Sequence, residues 1–253
     1  RPRLTLARFF LDHADLESLL VPTDIPHLLL IPGDQSGATG EHVNQGQKAR
    51  LIRHIRQLTA DYVLLDLGAG ISHFTLDLFL MADLKLAVTQ PDLPSAENLF
   101  HFIKHGYLRL FGQVLGQAGI RETARNLWKE RKEHHILSLP DLMGLIGRMA
   151  PREAAQLQEH LGGFQVFVIL NRVRNRHEAL QGYSLRSLCQ KFLGVQALFP
   201  GHIGHDDQIA QGLSLTNPSP RPHLSPRISR EIALIAQNCM HRKQMPMEEV
   251  KYV

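Results

Sequence analysis

Five uninterrupted apolar runs constrain the fold of this chain more than any other feature. They are HLLLIPGD (His27 to Asp34), YVLLDLGAG (Tyr62 to Gly70), LKLAVTQPD (Leu84 to Asp92), FQVFVILNRV (Phe164 to Val173) and VQALFPGHI (Val195 to Ile203). Each stops at turn or polar residues, and none alternates apolar with polar positions as a half-exposed strand would. The pattern predicts strands buried on both faces of a parallel sheet. Parallel strands need crossovers, and helical periodicity lies between most of the runs. QGQKARLIRHIRQL places Leu51, Ile52, Ile55 and Leu58 on one stripe with basic residues opposite. SAENLFHFIKHGYLRLFGQVL carries Leu99, Phe102, Ile103 and Leu110, with Ser95 as its predicted N-cap after Pro94. SLRSLCQKFLG ends on Gly194, a predicted C′ glycine, and SPRISREIALIAQNCMHR supplies a last helix. The predicted class is α/β, a doubly wound, mostly parallel sheet.

One stretch interrupts the alternation. Residues from about 105 to 162 are too long for a single crossover and are read as two or three extra helices at the sheet's edge. The segment His101 to His135 holds seven basic residues (Lys104, Arg109, Arg121, Arg125, Lys129, Arg131, Lys132) against Glu122, Glu130 and Glu133. It therefore carries as much net positive charge as the whole chain, whose formal charge is +4. Trp128 sits inside it and is read as an anchor for a partner or an anionic surface, or as part of a solvated helix face. The Pro-rich NPSPRPHLSP (Asn217 to Pro226) reads as a surface connection.

At 253 residues and 43% hydrophobic, the chain has enough apolar surface for an ordinary core. Cys189 and Cys239 are 50 positions apart without a C-x-x-C, so neither a disulfide framework nor a zinc site is indicated. No apolar run approaches the roughly 18 to 20 residues of a membrane span, and the Arg-Pro-Arg start has no signal-peptide core. A cytoplasmic location is expected, with peripheral membrane contact as an option.

DLGAG, Asp66 to Gly70, is the chemical centre of the sequence. A Gly-rich turn after a strand offers bare backbone N–H groups to a phosphate or cofactor. A Rossmann dinucleotide site needs a third glycine where His73 stands. Another reading makes Asp66 the carboxylate of a Walker-B-like strand near Mg²⁺, with Gly68 to Gly70 sensing a γ-phosphate. The structural reading is a tight turn whose Asp caps the next helix. Two histidine groupings are weaker: His202, His205, Asp206 and Asp207 as a metal site or as loop chemistry, and His101 with His105 at i, i+4 as a ligand pair or a solvated face.

The segment from Asp61 to Lys104 resembles the central part of the MinD/ParA family of deviant-Walker ATPases, in its MinD-like and flagellar-number-regulator branch. In that branch a strand ending in Asp-x-Gly-Ala-Gly, a helix, an Ala-Asp step and a strand ending in V-T-x-P-x-P-[ST] follow one another, as they do here. The matches run over about residues 16 to 236. The resemblance implies a P-loop NTPase fold of the SIMIBI type, an ATP–Mg²⁺ cofactor, an ATP-dependent homodimer, and a protein activator or cargo in cell division, flagellar placement or partitioning. It assigns Asp66 to the Mg²⁺-bound water and the attacking water. Gly68, Ala69 and Gly70 fall at the γ-phosphate, Asn171 with Arg172 at the adenine, and the loop of Gly204 and Asp206 at the adenine wall. Thr89 and Pro91 shape a strand exit. Gly204 stands where the family usually has proline.

The family's phosphate loop, G-x-x-x-x-G-K-[ST], has no counterpart, since the chain contains no Gly-Lys dipeptide. GDQSGATGEH has glycines without lysine and is read as a loop. The expectation is one domain over residues 1–253, N-terminally incomplete and with the basic insertion at 105–162. ATPase activity is expected of a longer form rather than of these residues alone. Two other readings remain. One is a nucleotide-free interaction module that binds a partner, nucleic acid or anionic membrane through 101–135. The other is an S-adenosylmethionine-dependent methyltransferase, whose first motif DLGAG resembles, although Ser72 replaces its third glycine and the next strand ends in Thr89 and Gln90 rather than an acid.

Overall fold

The computed structural model describes residues 5–33, 43–68, 70–212 and 224–249, and the chain divides into two compact units, Arg1–Ala82 and Asp83–Val253. GDQSGATGEH and the Pro-rich connection lie largely outside the described residues, and Ala69 does so entirely.

The first unit contains α1 (Leu6–Leu11), the short strands β1 (Val21–Pro22) and β2 (Leu29–Leu30), α2 (Gln45–Gln57) and α3 (His73–Met81). Its core gathers Phe9, Phe10, Leu16, Leu19, Leu51 and Leu78, with the predicted stripe of Ile52, Ile55 and Leu58 packed against it. Arg50 joins α2 to the end of α1. Its guanidinium lies 4.1 Å from the Phe9 ring centroid and donates to the carbonyls of Phe9, His13 and Ala14. The Phe9 carbonyl in the last turn of α1 and two carbonyls just past its end are thereby satisfied. α2 opens on a reciprocal cap, in which the Asn44 side chain accepts from the Gln47 N–H and the Gln47 side chain accepts from the Asn44 N–H. Lys48 and Asp77 form an ion pair between α2 and α3.

Two of the expected strands take a different form here. Of HLLLIPGD, only Leu29 and Leu30 pair, and they pair antiparallel with Pro22 and Val21. Tyr62 to Gly68 forms no strand, and Leu64 is 82% exposed. An apolar run becomes a buried parallel strand only when neighbouring strands take up its N–H and C=O groups on both sides. Among the described residues no strand pairs with this segment.

The second unit meets the parallel-sheet expectation. β3 (Leu86–Thr89), β4 (Gln165–Val173) and β5 (Gln196–Gly204) form a parallel sheet in the order β3-β4-β5. β4 is central and buried along Val166 to Leu170, as a strand flanked on both edges should be. β3 departs from the prediction, because Ala87 and Thr89 are buried while Leu86 and Val88 are exposed, Val88 by 58%. Between β3 and β4 run α4 (Leu93–Gln117), α5 (Arg121–Lys129), α6 (Leu139–Met149) and α7 (Pro151–Gly162). α4 begins two residues before the predicted cap. Asp92, not Ser95, is the N-cap, its carboxylate accepting from the Ser95 N–H at 2.9 Å with Pro94 in the first turn. The shift is physically sensible, since Pro is favoured inside the first turn and a carboxylate complements the helix dipole there.

α8 (Arg176–Leu188) crosses from β4 to β5 and runs into a π-helical turn, Cys189–Leu193, before Gly194 at φ 70° ends it as predicted. After β5 come α9 (Asp207–Gly212) and α10 (Pro226–Met240), the latter capped by Ser225. Phe167, Ile169, Ile235 and Cys239 form a core cluster between the sheet and α10. The coarse architecture is thus mixed α/β, with a small parallel sheet packed against helices.

Candidate functional site

The carboxyl ends of β3, β4 and β5 share one edge of the sheet because all three strands run the same way. In open parallel sheets that edge is where ligands bind. Thr89 ends β3, and its hydroxyl donates to the Ser95 carbonyl at 3.0 Å, fastening the strand exit to α4.

Asn171 and Arg172 sit near the end of β4, where the ladder slips. Leu170 pairs with His202 and Val173 with Gly204, so two residues of β4 bulge against Ile203 alone. Arg172 is held at φ 60°, a left-handed backbone uncommon for a residue with a Cβ. The Asn171 side-chain oxygen accepts from the Arg172 N–H at 2.9 Å, which fixes the amide plane and leaves its NH₂ as the donor end. Bulges of this kind re-aim side chains at the ends of ladders.

β5 runs out through Gly204, His205 and Asp206. The His205 N–H donates to the Val173 carbonyl at 2.8 Å, keeping this turn beside the β4 bulge. Gly204 lies close to α10: a Cβ there would lie 3.0 to 3.2 Å from the Arg227 guanidinium, which would have to shift slightly to admit it. Its N–H donates to the Glu231 carboxylate at 2.8 Å, and Arg227 donates to the His205 carbonyl at 2.7 Å. Arg227 and Glu231, four apart on α10, therefore brace the end of β5. The only trace of this bracing in the sequence is an i, i+4 opposite-charge pair, which by itself does not distinguish a strand brace from a solvated helix face.

Asp206 is committed to structure. Its carboxylate accepts from the N–H groups of Gln208 and Ile209 at 3.0 and 3.4 Å, at the start of α9. The Ser225 hydroxyl beside it, then those amides and the Arg227 charge, hold it below the usual carboxylate range despite some desolvation. His202 is buried within β5. Burial lowers its pKa, the Glu231 carboxylate opposes that shift and Arg227 adds to it.

In the first unit, Asp66, Gly68 and Gly70 are exposed. The Gly70 N–H donates to the Gly68 carbonyl at 2.8 Å, a tight turn. A Cβ on either glycine would meet open space, so neither is there for packing. The following helix is capped by Ser72, whose hydroxyl accepts from the Thr75 N–H at 3.1 Å, so Asp66 is not its cap. The residues expected at the γ-phosphate and those expected at the adenine thus belong to different units. Within the second unit, the bulge of Asn171 and Arg172 and the turn of Gly204 to Asp206 come together.

Other candidates resolve simply. Among the described residues no three His, Cys, Asp or Glu side chains converge as metal ligands. His205 Nε2 lies 3.0 Å from the Asp207 carboxylate, and His101 and His105 are exposed on α4. Burial pushes the thiols of Cys189 and Cys239 up to about 11, so neither is a thiolate nucleophile near neutral pH. No described helix is long and apolar enough to cross a membrane. Compared with models of known protein families and with curated proteins, the chain matches none.

Proposed function

We propose that this chain contributes the switch turn and the base-side wall of a MinD/ParA-type, ATP-dependent positioning switch acting in the cytoplasm. One observation supports the reading most: a strained bulge presents Asn171 at the carboxyl edge of a parallel sheet, beside the Gly204–Asp206 turn. The family resemblance assigns the adenine to the same residues. The amide NH₂ of Asn171 supplies a donor suited to an adenine ring nitrogen. Asp206 holds the turn in shape rather than touching a ligand.

The triphosphate end is different. A tetra-anionic phosphate tail needs lysines and a cradle of N–H groups, and these 253 residues contain no Gly-Lys loop. The residues present therefore fit the nucleoside half of ATP and not its phosphate half, and no hydrolytic step is assigned to them. The resemblance assigns the exposed Asp66 and the Gly68–Gly70 turn, in the other unit, the family's roles beside Mg²⁺ and a γ-phosphate.

The test uses the protein as its complete reading frame encodes it. It is expected to bind ATP–Mg²⁺ by isothermal titration and to dimerise with it in light scattering, while Asn171→Ala weakens binding on the order of 10-fold, the effect of one lost hydrogen bond to a desolvated base. A chain that titrates the adenosyl methyl donor and not ATP belongs to the methyltransferase class instead. Failure to bind ATP or to dimerise with it sinks the proposal.

A further inference from the structure

A cleft of about 330 Å³ opens in the second unit among α4, α5, the start of α6 and the π-helical turn after α8. Phe100, Lys104 and Leu108 line one wall, at the four-residue spacing that puts them on a single face of α4. Leu188, Phe192, Trp128 and Leu137 also line the cleft. Leu139 and Leu193 are buried in its floor. The upper side chains are not sealed by the fold: Trp128 is 40% exposed, Phe192 41% and Leu137 86%. An apolar concavity of this kind on a folded chain marks an interaction site.

Its electrostatics select the occupant. Lys104 is the charged side chain of the lining. The Arg131 guanidinium lies 5.7 Å from the Trp128 ring centroid and the Lys191 ammonium 5.3 Å from that of Phe192, so two more cations stand on the aromatic walls. Three of the nearby carboxylates have partners, while Glu133 is exposed. Asp141 accepts from the Leu137 and Ser138 N–H groups and the Ser138 hydroxyl, Glu130 lies 3.5 Å from His134, and Glu122 pairs with Arg125.

We infer that this cleft is the docking groove for an amphipathic helical segment of a partner protein, one that inserts apolar side chains at i, i+3/i+4 and i+7 and places Asp or Glu over Lys104, Arg131 and Lys191. Helix-in-groove recognition uses those anchors, and the cationic rim fixes which helices fit. A bilayer is the poorer match, because lipid surfaces receive apolar side chains that protrude, whereas these wall a depression. The inference involves neither ATP nor the residues of the proposed nucleotide site.

The test is selection of a random 16-residue phage-displayed library against the full 253-residue chain, followed by titration of the winning synthetic peptides. Trp128 is the chain's single tryptophan, so its fluorescence reports the groove directly. Enriched peptides are expected to carry helical apolar spacing with acidic flanks and to shift Trp128 emission saturably. Lys104→Glu is expected to weaken them on the order of 10-fold, and Leu137→Asp to weaken them further. Both substitutions alter exposed or half-exposed side chains, and circular dichroism verifies that the fold is kept. A peptide with its acids changed to lysine is expected to bind Lys104→Glu better than the unaltered chain, which a merely unfolded variant cannot imitate. The inference fails if no peptide is enriched, if the winners ignore both substitutions, or if vesicles of 30% phosphatidylserine shift Trp128 while peptides do not.

Discussion

At the scale of single residues, the most informative position is Arg172, because nothing about an arginine in NRVR announces a left-handed backbone. Its φ of 60° costs about 1 to 2 kcal/mol relative to ordinary backbone, and glycine would escape that cost while giving up about 0.5 to 1 kcal/mol of unfolded-state entropy. Arg172→Gly is therefore expected to raise stability by about 0.5 to 1 kcal/mol in urea titration. Arg172→Ala keeps the Cβ and the strain, and is expected to leave stability near that of the parent. If the two variants behave alike, the guanidinium rather than the backbone sets the energy of the bulge. A chain that retains a strained arginine at the edge where parallel sheets bind ligands behaves as functional sites do, keeping a local cost for the geometry it provides. Asp206 shows the opposite case: its family position suggested ligand contact, and the structure spends its carboxylate on α9 and Ser225.

Elements were legible where each could be completed by its neighbours. The runs at 84–92, 164–173 and 195–203 became β3, β4 and β5, and the 45–58 stripe became α2 with Leu51 buried. The same apolar content at 62–68 produced no strand and left Leu64 exposed, since hydrophobicity without hydrogen-bond partners does not specify a ladder. Sequence patterning also could not show that α8 would continue as a π-helical turn, which places Phe192 on the groove wall. The packing of α8 on β5 depends on a residue with no side chain. A Cβ on Gly182 would overlap the ring of Phe199, itself fully buried, with Tyr183 packed edge-on 5.1 Å away. Gly182→Ala gains helix propensity yet forces helix and strand apart, and the net effect expected is a loss of about 1 to 3 kcal/mol in chemical denaturation. A neutral or stabilising result would mean that α8 shifts along β5 without cost.

At the scale of the whole molecule, the two units differ in how their cores are made. The first relies on a helical cluster around Phe9, Phe10 and Leu51, braced by Arg50 and the Lys48–Asp77 pair. The second has its own parallel sheet, its own buried strand in β4 and helices that close on it, together with both the proposed base-side wall and the apolar groove. Its sheet leaves apolar side chains uncovered on β3, where Leu86 and Val88 are exposed. A sheet of three strands with a helix-covered face meets the usual threshold for independent stability, and the β3 surface is the term that opposes it. Residues 83–253 produced alone are therefore expected to fold, with Trp128 emission and far-ultraviolet circular dichroism losing their signals at one urea concentration. The basis of this expectation is that the Trp128 groove and the β4 sheet belong to the same unit. If the two probes separate, the helices around Trp128 unfold independently of the sheet. If both decline without a sharp midpoint, β3 needs cover from residues outside this unit before the parallel sheet is stable.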